Sequence, residues 1–198
     1  MGQAYGEGMT QIVLFHHAQG LTSGVVALAD RFEQAGHTVH LPDVYDGKTF
    51  TDLESGMANA RAVGFQKLLD DAVASTETLD TDVVYIGLSL GVMPAQQLAQ
   101  NRPGARAAVL VGSAVPADEF GSWPQGLPLQ IHGMDADPVF VGEGDVDAAR
   151  TLVAEVGAEL FLYPGDGHLF IDSSLNDYDE AATEQFIERT LALLERVG

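Results

Sequence analysis

Residues 87–91 (GLSLG) have the spacing of a nucleophile elbow, in which a serine sits on a tight turn between a strand and a helix. An apolar run, residues 83–86, precedes this turn, and an amphipathic stretch begins near Val92. Such a turn exposes the hydroxyl of Ser89 above the end of the sheet. It also leaves the N–H of Leu90 near a helix N-terminus, where it can stabilise an oxyanion. The segment therefore predicts nucleophilic attack by Ser89 on a carbonyl carbon.

A nucleophilic serine needs a general base, and the base needs an acid that orients it. In elbow-type folds both follow the serine along the chain, in the order acid and then histidine. His168 lies in a glycine-rich loop after the apolar run 159–163, and Asp135 and Asp137 lie after the run 129–132. Both loops follow predicted strands, so we expect His168 and one aspartate to meet Ser89. The spacing alone does not choose between the two aspartates.

The loop after the first apolar run, residues 16–20 (HHAQG), is expected to supply the second oxyanion donor, the backbone N–H of Ala18. Adjacent histidines on a strand point to opposite faces, and no acidic residue lies close by in sequence. We therefore expect no metal. The loop 87–91 lacks the usual phosphate-binding spacing and the net charge is −20, so we expect no nucleotide or flavin cofactor either. For the aromatic residues among the candidates for the substrate pocket, core packing is an equally good explanation. The pocket candidates are His17, Gln19, Trp123 and Phe170.

The apolar runs that precede these loops are typical of strands buried on both faces of a parallel sheet, because they are short and lack polar alternation. They are residues 11–16, 38–41, 83–88, 107–111, 129–132 and 159–163. Helical patterns cover residues 24–34, 53–73, 92–101, 146–156 and 179–197. Residues 113–126 fit neither pattern and are expected to form a loop or a single-turn excursion. The alternation predicts a three-layer α/β fold, with a mostly parallel sheet and helices on both faces.

Length and composition limit the remaining classes. The 198 residues fit one domain, in which the polar, glycine-rich residues 1–10 are expected to be a flexible N-terminal extension. There is no cysteine, so disulfides and a thiol nucleophile are excluded. With 9 Lys+Arg against 29 Asp+Glu the net charge is −20, which argues against nucleic-acid and membrane-surface partners. No signal peptide or membrane span is visible, so a cytoplasmic location is expected. Monomer and homodimer both remain open.

With residues 132–138 (HGMDADP) and 163–170 (YPGDGHLF), the segments above resemble the dienelactone hydrolase family of α/β-hydrolases, over residues 11–194. The resemblance implies an α/β-hydrolase fold without a separate cap domain. It also implies Ser89 in place of the family's cysteine nucleophile, His168 as base, and Asp137 rather than Asp135 as acid. The backbone N–H groups that it implies for the oxyanion hole are those of Ala18 and Leu90.

Two departures from the family bear on the substrate. Members that act on dienelactone have a glutamate in the early loop and an arginine a few residues after the catalytic histidine. In this chain the corresponding positions look like His17 and the stretch 169–172 (LFID), which holds no cation. The resemblance therefore favours a retained catalytic centre with a changed substrate.

The predicted activity is hydrolysis of small carboxylic esters, thioesters or lactones through an acyl-enzyme. A shallow, open site bordered by residues 113–126 and 139–147 is expected, for a small, neutral or weakly polar substrate. Two alternatives use the same residues. One is a non-catalytic α/β module that binds a small molecule and only retains the elbow. The other is an acyltransferase or perhydrolase with the same catalytic residues.

Overall fold

The computed structural model of the chain describes residues 9–198, and its strands form one fully parallel six-stranded sheet. Along the sheet the strands run in the order β2-β1-β3-β4-β5-β6. The strands are β1 (Gln11–Phe15), β2 (Thr38–His40), β3 (Val83–Leu88), β4 (Ala105–Val111), β5 (Leu129–Met134) and β6 (Glu159–Tyr163). The helices are α1 (Ser23–Gln34), α2 (Leu53–Val63), α3 (Phe65–Ala74), α4 (Val92–Asn101), α5 (Asp145–Val156) and α6 (Glu180–Val197).

Two hydrophobic cores lie on the two faces of the sheet. On one face α1 and α6 cover the sheet, with Phe32 and Phe186 in edge-to-face contact. On the other face α3, α4 and α5 cover it. Strand β3 is buried along its whole length, which explains why its sequence (VVYIGL) has no polar alternation. The predicted three-layer α/β architecture is confirmed, and no cap domain interrupts it between residues 9 and 198.

The secondary structure differs from the sequence prediction mainly in one helix. Residues 53–73 were predicted as one amphipathic segment, but the chain breaks at Gly64, which has a φ of 97°. A residue with a side chain is strained in that conformation, so the glycine permits a sharp change of direction between α2 and α3. Residues 113–126 form a loop with one short turn of 3₁₀ helix at Ala117–Glu119, as expected.

Of the predicted N-terminal extension, residues 1–10, the first eight lie outside the described residues. Thr10 is buried, and its carbonyl accepts a hydrogen bond from the N–H of Thr38 at the start of β2, so it is fixed at the N-terminal end of β1. Within residues 9–198, none of the helices has both the length and the apolar character needed to cross a bilayer.

Helix α2 packs unusually close to the loop that follows β1. A Cβ atom added to Gly56 would lie 2.3 Å from the carbonyl oxygen of Ala18 and 3.1 Å from the nitrogen of Gln19. These are backbone atoms, which cannot rotate away. The glycine therefore lets α2 rest directly on this loop.

Replacing Gly56 by Ala has two opposite effects on stability: alanine favours the helix more than glycine does, but its methyl group overlaps the loop after β1. The propensity gain is about 1 kcal/mol, whereas overpacking costs about 1–3 kcal/mol, so we expect a net loss of unfolding free energy. Urea denaturation of G56A measures it. The exposed position 58 in the same helix is the control, because A58G should lose about 1 kcal/mol from propensity alone. A G56A protein more stable than the wild type would contradict the close approach.

Candidate active site

The elbow between β3 and α4 has a geometry that only glycine neighbours permit. Ser89 has a positive φ of 48°, a conformation that is uncommon for residues other than glycine. A Cβ atom on Gly87 would lie 2.5 Å from the carbonyl oxygen of Gly91. A Cβ atom on Gly91 would lie 2.4 Å from the carbonyl oxygen of Phe15 in β1. The two glycines therefore let the turn pack tightly, while the strained serine projects from it.

Ser89, His168 and Asp137 form a continuous hydrogen-bonded chain. The Oγ atom of Ser89 lies 2.8 Å from Nε2 of His168, and Nδ1 of His168 lies 2.7 Å from Oδ2 of Asp137. A carboxylate can only accept, so Nδ1 carries the proton and Nε2 accepts from the serine hydroxyl. The other oxygen of Asp137 accepts from the N–H of Val139 at 2.8 Å. Both ends of the imidazole are thus fixed.

Of the two candidate acids, the structure brings only Asp137 to the histidine. Asp137 is buried, with 1% of its surface exposed. Asp135 is exposed, and one of its carboxylate oxygens accepts from the N–H of Gly165 at 3.1 Å. That bond links the loops after β5 and β6.

A cavity of about 440 Å³ opens beside Ser89. Residues that follow β4 and β5 form one side, as the sequence suggested: Ser113 and Val139 from the loops, and Asp145 from the start of α5. The opposite side comes from α2 and α3, which the sequence analysis did not connect with the site. The amphipathic pattern of residues 53–73 was the available signal, but an apolar stripe does not reveal whether it faces the core or a cavity.

The four residues suggested as pocket residues lie elsewhere. His17 and Gln19 are buried in the loop after β1, where the Gln19 amide donates to the carbonyl of Phe50. Phe170 is fully buried in the core, and Trp123 donates its indole N–H to the carbonyl of Leu127. None of the four lines the cavity beside Ser89. A residue's place in a loop after a strand does not tell whether its side chain faces the cavity or the core.

The two predicted oxyanion donors differ in position. Leu90 lines the cavity next to Ser89, whereas Ala18 is buried and does not line it. His16, two residues before Ala18, does line the cavity. Its Nε2 accepts from the N–H of Val44 at 3.3 Å, so its Nδ1–H donates to the carbonyl of His17 at 2.8 Å. Burial lowers the pKa of His16, although the bond to the His17 carbonyl opposes this shift. His16 is therefore a neutral wall residue, which the sequence analysis missed.

Comparison with protein families places this geometry in context. The sequence profile of the dienelactone hydrolase family matches residues 5–198, almost the whole chain. The chain belongs to the dienelactone hydrolase family. No curated protein matches it significantly in sequence.

Solved structures of similar fold carry related names. A dienelactone hydrolase-like promiscuous phosphotriesterase from metagenomic libraries is 18% identical, with a TM-score of 0.73 over 95% of this chain and 86% of its own. The dienelactone hydrolase of Anabaena variabilis is 22% identical, with a TM-score of 0.67 over 96% and 88%. A cold-adapted esterase from an Arctic intertidal metagenomic library is 14% identical, with a TM-score of 0.67 over 95% and 82%. At these identities the likeness shows a shared fold.

This dienelactone hydrolase family member has a second buried His–Asp pair next to the first. Nδ1 of His17 accepts from the N–H of Gln19, so its Nε2–H donates to Oδ2 of Asp172 at 2.8 Å. Thr22, the N-cap of α1, also donates its hydroxyl to Oδ2. The N–H and hydroxyl of Ser174 donate to Oδ1 at 2.8 and 2.6 Å. The carboxylate thus ties the loop after β1 to the loop that carries His168.

Both oxygens of Asp172 are occupied, which changes its titration. Burial raises the pKa of this carboxyl, but the hydrogen bonds from His17, Ser174 and Thr22 outweigh burial and lower the pKa to about 2. Within residues 9–198, no group of three or more His, Asp or Glu side chains is arranged to hold a metal ion.

Replacing Asp172 by Asn should lower the free energy of unfolding at pH 7 by about 2–3 kcal/mol, because charge-assisted hydrogen bonds are lost in a buried site. The folded-state pKa lies below the unfolded one, so the wild type keeps this stabilisation above about pH 4 and loses it as the pH falls toward 2. The difference in unfolding free energy between D172N and the wild type should therefore become smaller as the pH falls from about 4 to about 2. Urea denaturation at a series of pH values measures it.

The exposed Asp166 in the same loop is the matched control, and D166N should stay close to the wild type at every pH. A stability difference for D172N that does not change between pH 4 and pH 2 would contradict the role assigned to the Asp172 charge.

Proposed function

We propose that this protein is a serine hydrolase of small carboxylic esters, thioesters or lactones that works through an acyl-enzyme. The observation that carries the proposal is the chain of hydrogen bonds from Ser89 Oγ to His168 Nε2 and from His168 Nδ1 to Asp137. Membership of the dienelactone hydrolase family supports the same reaction class. Two proteins of similar fold, a promiscuous phosphotriesterase and an esterase, are also ester-cleaving enzymes by name.

In the first half of the reaction, Nε2 of His168 takes the proton of Ser89 as Oγ attacks the carbonyl carbon. Asp137 holds the imidazole in the required tautomer and stabilises the imidazolium that forms. The imidazolium then gives its proton to the leaving oxygen or sulfur as the tetrahedral intermediate collapses. The alcohol or thiol departs, or in a lactone remains as a hydroxyl group on the opened chain, and the acyl group stays on Ser89 as an ester.

In the second half, a water molecule occupies the place of the alcohol, and His168 takes its proton as it attacks the acyl-enzyme. Collapse of the second tetrahedral intermediate releases the acid and returns the proton to Ser89. We propose that the backbone N–H groups of Leu90 and Ala18 stabilise the oxyanion of both intermediates. Leu90 lines the cavity, whereas Ala18 does not, so the part of Ala18 rests on the family resemblance. Each such donor is worth about 10²- to 10³-fold in kcat.

Replacing Ser89 by Ala tests the nucleophile. S89A should lose at least about 10⁴-fold in kcat on p-nitrophenyl esters, because no acyl-enzyme can form. Its circular dichroism spectrum and unfolding curve should match those of the wild type. A fluorophosphonate probe followed by intact-protein mass spectrometry should add one adduct to the wild type and none to S89A. Esterase activity retained by S89A would exclude the mechanism. A wild type that neither hydrolyses esters nor reacts with the probe would favour the binding-module alternative.

Matched substitutions of Asp137 and Asp135 test which of the two aspartates orients His168. D137N should lower kcat by about 10⁴-fold, because an amide N–H facing Nδ1 favours the wrong histidine tautomer. D135N removes an exposed carboxylate that has no contact with His168, so it should keep most of the activity. Steady-state rates of both variants on one p-nitrophenyl ester measure the contrast. Equal losses in the two variants would contradict the assignment of Asp137 as the orienting acid.

A further inference from the structure

The cavity beside Ser89 has two unlike walls, and the strand order places them on opposite sides of the serine. On the side of β1 and β2, the wall is apolar and comes largely from α2 and α3. On the side of β4 and β5, the wall contains Gly112, Ser113, Glu143 and Asp145, with Val139 as an apolar member. Five residues represent the apolar wall: Val44, Met57, Phe65, Leu68 and Leu69.

The reaction decides which part of an ester faces which wall. His168 must protonate the leaving oxygen, so that oxygen has to lie near Nε2. The imidazole lies on the side of β4, because a Cβ atom added to Gly112 would be 3.2 Å from its Cε1 atom. The leaving alcohol therefore lies along the wall of Gly112 and Ser113. The acyl group extends from the same carbon to the other side, toward α2 and α3.

The distribution of charged side chains around the cavity indicates which acyl groups and which alcohols this orientation can accept. No Lys or Arg lines the described part of the cavity. Glu143 and Asp145 lie on the alcohol side, and Asp145 accepts a hydrogen bond from the Ser113 hydroxyl. A carboxylate on the acyl group would lose its hydration against an apolar wall without gaining a partner, which is strongly unfavourable. A carboxylate on the alcohol would meet two like charges.

Resting on the serine-hydrolase chemistry proposed above, we propose that α2 and α3 form an acyl-binding wall for an uncharged, hydrophobic carboxylic acid. Its alcohol, which is not anionic, leaves past Glu143 and Asp145. The cavity volume of about 440 Å³ lies within the range of small-molecule sites and leaves room for an acyl chain of several carbons. The acyl chain, rather than the alcohol, then determines specificity.

Two substrate comparisons test the acyl wall. Along p-nitrophenyl acetate, butyrate and hexanoate, kcat/KM should rise by about fourfold for each added methylene, since each buried methylene contributes about 0.8 kcal/mol. p-Nitrophenyl hexanoate and the mono-p-nitrophenyl ester of adipic acid have acyl chains of equal length, but only the second ends in a carboxylate. Hexanoate should be preferred by roughly 100-fold or more. A flat or falling acyl series, or equal rates for the matched pair, would overturn the proposal.

Variants at Met57 locate the effect on the wall. Met57 is half-buried on α2, and M57Q places a polar amide of similar length there, while M57L keeps an apolar side chain. M57Q should lower the hexanoate-to-acetate ratio of kcat/KM by about tenfold, and M57L should retain the wild-type ratio. Because the readout is a ratio, a general loss of active protein does not move it. An unchanged ratio in M57Q would overturn the assignment.

If M57Q does not fold, F65S gives the same test, because Phe65 is on the cavity wall while 45% of its surface is exposed. Its hexanoate-to-acetate ratio should also fall, and an unchanged ratio would count against the wall.

The alcohol side has its own matched control. E143Q should raise the rate of 4-carboxyphenyl acetate relative to 4-carbamoylphenyl acetate by about two- to fivefold, and added salt should diminish the change. Glu155 is exposed on α5 and does not line the cavity, so E155Q makes the same change in net charge without this effect. A shift of alcohol preference in M57Q, or of acyl preference in E143Q, would show that the substrate lies the other way round.

Failure of this proposal and failure of the proposed function give different results. A protein that cleaves p-nitrophenyl acetate in a Ser89-dependent reaction, but shows no preference for longer acyl chains, lacks only the acyl wall. A protein that cleaves none of these esters and does not react with a fluorophosphonate lacks the serine chemistry itself.

Discussion

The site depends on backbone segments that approach one another more closely than side chains allow. At the elbow, Gly91 packs against the carbonyl of Phe15, and Gly87 packs against the start of α4. A larger residue at position 91 would push the turn away from β1, and a larger residue at position 87 would push the start of α4 away from β3. The strained φ of Ser89 is maintained because the surrounding packing leaves the turn no alternative. The position of the serine hydroxyl is therefore a consequence of how β1, β3 and α4 fit together.

The histidine reaches this hydroxyl from a different part of the chain, and its loop is held from two sides. Asp137, from the loop after β5, fixes the imidazole directly. Asp172, four residues after His168, fixes the same loop to the segment after β1 through His17 and Thr22. A Cβ atom on Gly24 would lie 1.7 Å from the Asp172 carboxylate, so the first turn of α1 also closes around it. The three loops around the serine thus form one hydrogen-bonded unit.

The sequence predicted the parts of this arrangement that depend on local patterns. All six strands follow from short apolar runs, and the elbow follows from glycine spacing before a helix. The loops of His168 and Asp137 follow from their place after strands, since carboxyl ends of parallel strands share one edge. What could not be predicted depends on contacts distant in sequence. Spacing in the sequence did not show whether Asp137 or Asp135 contacts the histidine. Nor did it show that α2 and α3 face the cavity, because their orientation depends on the break in the helix at Gly64.

The same reasoning explains why recognition must come from the cavity walls. Asp172 stands near the position at which related enzymes hold a substrate carboxylate with arginine, but both its oxygens already accept hydrogen bonds from the protein. It is also fully buried, so it offers no free group to a substrate. His17, at the other departure from the family, is buried as its partner. Two positions that differ from the family in charge thus stabilise the fold around the site, and the proposed substrate is assigned to the apolar wall of α2 and α3 instead.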